Sequence, residues 1–78
     1  MPFQPIQQNR VADAIVEQVR TLILEGVLRP GERLPPEREM AAAFDVSRPS
    51  LREALHELEL TGFVETRHGG GTYVTGVV

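Results

Sequence analysis

Residues 47–55, Ser-Arg-Pro-Ser-Leu-Arg-Glu-Ala-Leu, constrain the fold more than any other stretch of this 78-residue chain. Arg48 and Arg52 are four residues apart, so they share one face at the start of a predicted helix. Apolar side chains at spacings of three and four predict that the opposite face is buried: Leu51, Ala54, Leu55 and Leu58. A short helix ending at Phe44 and a tight turn at residues 45–46 come just before. Two helices joined in this way are typical of a helix-turn-helix motif.

The composition allows one small domain. The apolar share is 41%, and a chain of this length buries roughly 60% of its unfolded surface. Cysteine is absent, so disulfides and thiol chemistry are excluded. Residues 1–5 lack the basic and apolar regions of a signal peptide, and no apolar run approaches the roughly 20 residues of a membrane span. We therefore expect a cytoplasmic domain.

The first half of the chain predicts a short arm and one long helix. Residues 1–8 show no periodicity and form the arm. A helix is expected from about Arg10 to Glu25, with Asn9 as its N-cap and Gly26 as its stop. Its buried stripe is predicted from the apolar spacing: Val11, Ile15, Val19, Leu22 and Ile23.

Turn residues divide the remainder of the chain. Pro30 and Gly31 predict a type II turn before a short strand at 32–34. Pro35-Pro36 opens the second helix, which buries Met40, Ala41 and Phe44. Ser47 is the expected N-cap of the third helix, which runs to about Leu60; a Ser50–Glu53 pair is an alternative start. Strands at 63–67 and 72–75 flank a glycine-rich tip. We predict a mainly α fold with a small antiparallel β wing: a winged helix-turn-helix, with the motif at about 37–56 and the wing at about 63–75.

Four segments, matching in order over residues 9–76, resemble the amino-terminal domain of the GntR family of bacterial transcription regulators. They are Gly26–Pro35, Leu34–Ala41, Val46–Leu55, and Gly62–Val64 with Gly69–Val74. The third segment, together with the leading Phe3-Gln4-Pro5-Ile6, is most similar to the FadR-type branch. Two departures from the family pattern are Pro36, where the family often has serine, and a wing tip with three glycines and no lysine.

The resemblance implies sequence-specific binding to double-stranded operator DNA, through a recognition helix in the major groove and a wing at the minor groove. Arg48 and Arg52 would read bases, and Arg can donate two hydrogen bonds to guanine. Arg38 would contact a base or a phosphate, Ser47 and Ser50 a phosphate, and Pro49 a thymine methyl. The wing tip would supply His68, Gly69 and Gly70.

Most of these residues also have a purely structural alternative, which for Ser47 is helix capping alone. Arg38 could pair with Glu37, with Glu39 or with an acid of the third helix. Arg48 and Arg52 could form a solvated face balanced by Glu53 and Glu57. The wing tip could be only a permissive turn.

The charge balance bears on the choice of partner. The net charge is −3, with eight arginines and no lysine, whereas nucleic-acid binders are usually basic. A winged-helix module that binds protein is therefore the main alternative. Arginines at the starts of two helices oppose it, because interaction faces favour apolar anchors. A third possibility is the DNA-binding head of an aminotransferase-like GntR chimera.

No pattern for catalysis, a cofactor or a metal is found. The three glycines lack the lysine of a phosphate loop, and the two histidines lie on different elements. By the resemblance, the full-length protein is expected to be a homodimeric repressor that binds a short inverted repeat. A carboxy-terminal domain, missing from this chain, would bind a small-molecule effector. No cofactor is expected in the domain itself.

Overall fold

The computed structural model describes residues 2–3 and 10–75. Three helices are followed by two antiparallel strands: α1 (Arg10–Leu24), α2 (Glu37–Phe44), α3 (Arg48–Leu60), β1 (Val64–Thr66) and β2 (Thr72–Val74). The predicted winged helix-turn-helix is confirmed. Most of the predicted arm and the predicted N-cap Asn9 lie outside the described residues.

The core lies between the three helices and the wing, and α2 contributes Met40 and Ala41 to it. From α3 it takes Leu51, Ala54 and Leu58, none of which has any exposed surface. From α1 it takes Ala12, Ile15, Val16, Val19 and Ile23. The predicted α1 stripe was wrong at Val11, whose side chain is 45% exposed. Val11 lies about a quarter turn from the centre of the buried face.

A compact turn joins α2 to α3. Asp45 adopts a left-handed conformation with φ of 57°, and its amide donates to the carbonyls of Ala41 and Ala42. Short polar residues tolerate this conformation better than most others. Ser47 then caps α3, because its side chain accepts a hydrogen bond from the amide of Ser50. The alternative start at Ser50 is thereby excluded.

The wing is a two-stranded sheet, and the predicted strand at 32–34 is reduced to a single bridge at its edge. Val64 pairs with Val74 and Glu65 with Tyr73, and both valines are buried. The segment after the Pro30–Gly31 turn adds an antiparallel bridge between Arg33 and Tyr73. That turn has the predicted geometry, with Gly31 at φ 86°. The added segment ties the start of α2 to the wing.

We expect Leu58→Ala to lower the free energy of unfolding by about 2–5 kcal/mol, because it removes a fully buried side chain and leaves a cavity. Leu60→Ala is the matched control on the same helix, since Leu60 is 73% exposed. That control should change stability by no more than about 0.5 kcal/mol. Urea unfolding followed by circular dichroism measures both. Equal losses would contradict the described rotation of α3.

Candidate nucleic-acid interface

The exposed start of α3 carries the predicted reading residues. Arg48 is the first residue of the helix and Pro49 the second, a position where proline loses no helical hydrogen bond. The hydroxyl of Ser47 accepts from the amide of Ser50 at 3.3 Å and donates to the hydroxyl of Ser50 at 3.0 Å. Arg52 lies one turn further along. All except the half-buried Ser50 are exposed.

A single carboxylate from α2 holds both of these arginines. Arg48 donates from Nε to Oε1 of Glu37 at 2.9 Å. Arg52 donates from Nε to Oε1 and Oε2 of the same residue, at 3.1 Å each. Glu37 is the first residue of α2, so this ion-pair cluster connects the two helices of the motif.

The cluster leaves the outer ends of both arginines available. Within the described part of the chain, neither arginine uses its terminal Nη groups for a hydrogen bond. The two guanidinium groups, Arg52 first and Arg48 next, lower the pKa of the Glu37 carboxyl. Glu37 is therefore ionised at neutral pH. One negative charge faces two positive charges, and the cluster keeps a net charge of about +1.

Glu37 is the functional candidate that sequence reasoning missed. The sequence offers Glu37 only as a partner for Arg38, and Glu53 and Glu57 as the acids that would balance the α3 arginines. In the sequence, an acid at the first turn of a helix is fully explained by the helix dipole. Its arginines lie 11 and 15 residues further on, so no helical spacing connects them to it.

Arg38 is exposed on α2. Its guanidinium group forms no ion pair or hydrogen bond with any described residue. The alternative in which Arg38 pairs with Glu37 is therefore wrong, because that carboxylate faces α3. The guanidinium of Arg38 is open to an external acceptor.

The predicted wing tip is an exposed glycine turn. Gly69, Gly70 and Gly71 all have positive φ, from 92° to 115°, and the amide of Gly70 donates to the carbonyl of Arg67 at 3.1 Å. His68 is exposed beside them. A side chain in this conformation is strained wherever it points.

At the base of the tip, one arginine is packed and ion-paired within the wing itself. The Arg67 guanidinium lies 3.9 Å from the centre of the Tyr73 ring. Its Nε donates to Glu65 at 2.9 Å. Arg67 therefore stiffens the outer face of the wing.

Two adjoining clefts run from Glu37 to the wing, and Arg52 lines one of them. One is lined by Glu37, Arg52, His56 and Thr66, among others. The other is lined by residues that include Arg33, Pro36, Glu37 and Gly71. The structure thus brings Arg48, Arg52 and Glu37 together. Of the wing tip, Gly71 lines one cleft, whereas His68, Gly69 and Gly70 line neither.

Residues 2–3 and 10–75 contain neither a metal-binding cluster nor a membrane-spanning helix. No group of three or more His, Asp or Glu side chains there could hold a metal ion. No helix in these ranges combines the length and the apolar character that crossing a bilayer requires.

Similar proteins include bacterial regulators. The chain is 45% identical over 74 residues to the HTH-type transcriptional regulator Mce2R of Mycobacterium tuberculosis, covering 95% of this chain and 31% of that protein. It is 55% identical over 56 residues to the Uxu operon transcriptional regulator of Escherichia coli, covering 72% and 22%. The chain therefore spans less than a third of the length of either relative.

A solved structure shares the fold. The crystal structure of AraR(DBD) in complex with operator ORR3 superposes with a TM-score of 0.80 at 28% identity, covering 96% of this chain and 90% of that one.

The chain also matches a protein-family model, that of the bacterial regulatory proteins, gntR family, over residues 11–74. This match takes in both strands of the wing and all three helices except the first residue of α1. The chain belongs to the GntR family of bacterial regulatory proteins.

Proposed function

We propose that this chain reads double-stranded operator DNA in a sequence-specific way, as the DNA-binding domain of an effector-responsive repressor. The observation that carries the proposal is the pair of exposed arginines at the start of α3, both held through Nε by Glu37. AraR(DBD), which shares this fold, was crystallised with an operator, and this supports DNA binding as the function of the domain.

In this proposal α3 enters the major groove. The terminal Nη groups of Arg48 and Arg52 donate to O6 and N7 of guanine. Glu37 fixes the two side chains before DNA arrives, so less rotamer freedom is lost on binding. The ionised carboxylate can accept hydrogen bonds but cannot donate them. Because it is negatively charged, it repels phosphates while it orients the arginines.

The residues around Arg48 and Arg52 set the register of the domain along the DNA duplex. Arg38 contacts the operator from the start of α2. Ser47 and Ser50 lie at the amino-terminal end of α3, where free amides and the helix dipole favour a phosphate. Pro49 has no donor and offers an apolar contact to a thymine methyl. Phosphate contacts of this kind orient the domain but carry no sequence information.

The wing tip of His68, Gly69 and Gly70 would enter the minor groove. Three consecutive glycines let the backbone approach the sugars closely. The tip is exposed and closes a hairpin stiffened by Arg67 and Tyr73. Contacts in both grooves would enlarge the operator half-site read by one domain.

For the whole protein we propose a cytoplasmic homodimer of the FadR-type branch that binds a short inverted repeat. A further carboxy-terminal domain would bind the small-molecule effector and dimerise. The domain described here would be neither an enzyme nor a cofactor carrier. The similarity to the Uxu operon transcriptional regulator supports a role in the regulation of transcription.

The alternative is a winged-helix module that binds another protein. The net charge of −3 and the exposed side chains of Leu24, Val27 and Leu60 favour it. Such a module would not need two arginines oriented by one carboxylate. A DNA-binding measurement on the intact chain therefore separates the two functions.

We expect Arg48→Ala to cost about 1–3 kcal/mol of operator affinity and to relax selectivity at one base pair, because a bidentate contact to guanine is lost. The operator probe is a duplex selected from a random-sequence library by the wild-type chain, and its scrambled version is the control. Fluorescence anisotropy measures both affinities. Unchanged affinities for both duplexes would exclude the base-reading role.

We expect Glu37→Gln to strengthen binding to scrambled DNA and to lower the ratio of operator to scrambled affinity by about fivefold, because the arginines lose the charge that orients them. Glu39→Gln is the matched control. It removes the same charge from the same helix, and Glu39 bonds no described arginine. The control should raise both affinities alike. If both variants change the ratio equally, Glu37 acts only through net charge.

We expect His68→Ala to weaken operator binding by about 1 kcal/mol or more if the tip occupies the minor groove. Gly70→Val should weaken it further, since a Cβ would stand between backbone and sugar. Gly70 has φ of 115°, so the valine variant also strains the fold and thermal unfolding must be measured with it. His68→Ala avoids that strain. Wild-type affinity in both variants would remove the wing from the binding surface.

A further inference from the structure

Arg33 lies on the strand-like segment that joins the wing sheet just before α2. It bridges Tyr73 in antiparallel pairing, and the flanking amide of Leu34 donates to the carbonyl of Thr72 at 2.8 Å. Directly paired residues point to the same face of a sheet. The side chain of Arg33 therefore stands on the Tyr73 face of the wing, opposite the buried valines.

The charged end of Arg33 is held against the backbone at the root of the wing tip. A Cβ added at Gly71 would meet Nε of Arg33 at 2.7 Å and Cζ at 3.3 Å. The absence of a side chain at Gly71 thus makes room for the guanidinium. Arg33 is fixed beside the last glycine of the tip, although it is 38 residues away along the chain.

Arg33 is also one of the few described arginines that form no ion pair with an acidic side chain of the chain. Arg20 pairs with Glu17, Arg67 with Glu65, and both α3 arginines with Glu37. Arg33 forms no ion pair or hydrogen bond with a described side chain. Its five N–H donors are available to an external anion, and no internal ion pair has to break first.

The position of Arg33 identifies that anion. Arg33 lines the same cleft as Glu37, which holds the α3 arginines, and Gly71, the last glycine of the wing tip. A duplex read by α3 in one groove and by the wing in the next must pass its sugar-phosphate strand between them, because that strand separates the grooves.

We propose that Arg33 binds a phosphate of the DNA strand that passes between the recognition helix and the wing. This inference rests on the proposed function, since it presupposes that both elements meet one duplex. The contact would be independent of sequence, and it would fix the wing relative to α3. Neither the periodicity of the sequence nor its motifs single out this residue.

The test compares Arg33→Ala and Arg33→Lys with Arg20→Ala, which removes the same charge from α1. Affinities for the selected operator duplex and for its scrambled version are measured across a salt series, and thermal unfolding checks each fold. Arg33→Ala should weaken both duplexes by a similar factor and make the slope of log affinity against log salt shallower by about 0.9. Arg33→Lys should keep most of the slope, and Arg20→Ala should leave it unchanged.

Two results would overturn the assignment. One is a salt slope for Arg33→Ala equal to that of Arg20→Ala, with operator affinity retained. The other is a loss of discrimination between the duplexes at unchanged slope, which would make Arg33 a base reader. In both cases the wild-type chain still prefers operator to scrambled DNA. Loss of that preference in the wild type would instead contradict the proposed function.

Discussion

The burial of one face of α3 is the constraint on which the rest of the structure depends. Leu51, Ala54 and Leu58 are completely enclosed, and each buried leucine contributes on the order of 2 kcal/mol. This burial fixes the rotation of α3 about its own axis. Because Arg48 and Arg52 lie on the other face, the rotation that buries the leucines also exposes the arginines. The hydrophobic core thus orients the candidate reading surface.

An amphipathic helix alone does not position an arginine side chain, which has several rotatable bonds and loses entropy when it is held. Glu37 supplies the missing restraint by accepting hydrogen bonds from both Nε atoms. The same bonds tie the first helix of the motif to the second. The geometry of the turn at Asp45 therefore shapes the candidate interface, because it sets the distance between Glu37 and the two arginines.

The acidic net charge of the chain is compatible with a cationic surface. Net charge affects solubility and long-range attraction, whereas a contact surface depends on where the charges lie. Four arginines lie in this region of the chain. Arg48 and Arg52 are on α3, Arg38 is at the start of α2, and Arg33 is on the segment that leads into α2. Glu37 lies among them. Several of the eleven acids lie on α1 and along the exposed length of α3, where they face solvent.

The sequence by itself determined the helices, the Ser47 cap, the Pro30–Gly31 turn and the hairpin, because periodicity, capping and glycine conformation act over a few residues. It also indicated which face of α3 carries the arginines. Only the tertiary structure decided that Glu37 holds those arginines, that Arg33 joins the wing beside Gly71, and that Val11 is exposed. These features depend on how the helices and the wing pack against one another. They join residues far apart in the chain, so no local pattern encodes them.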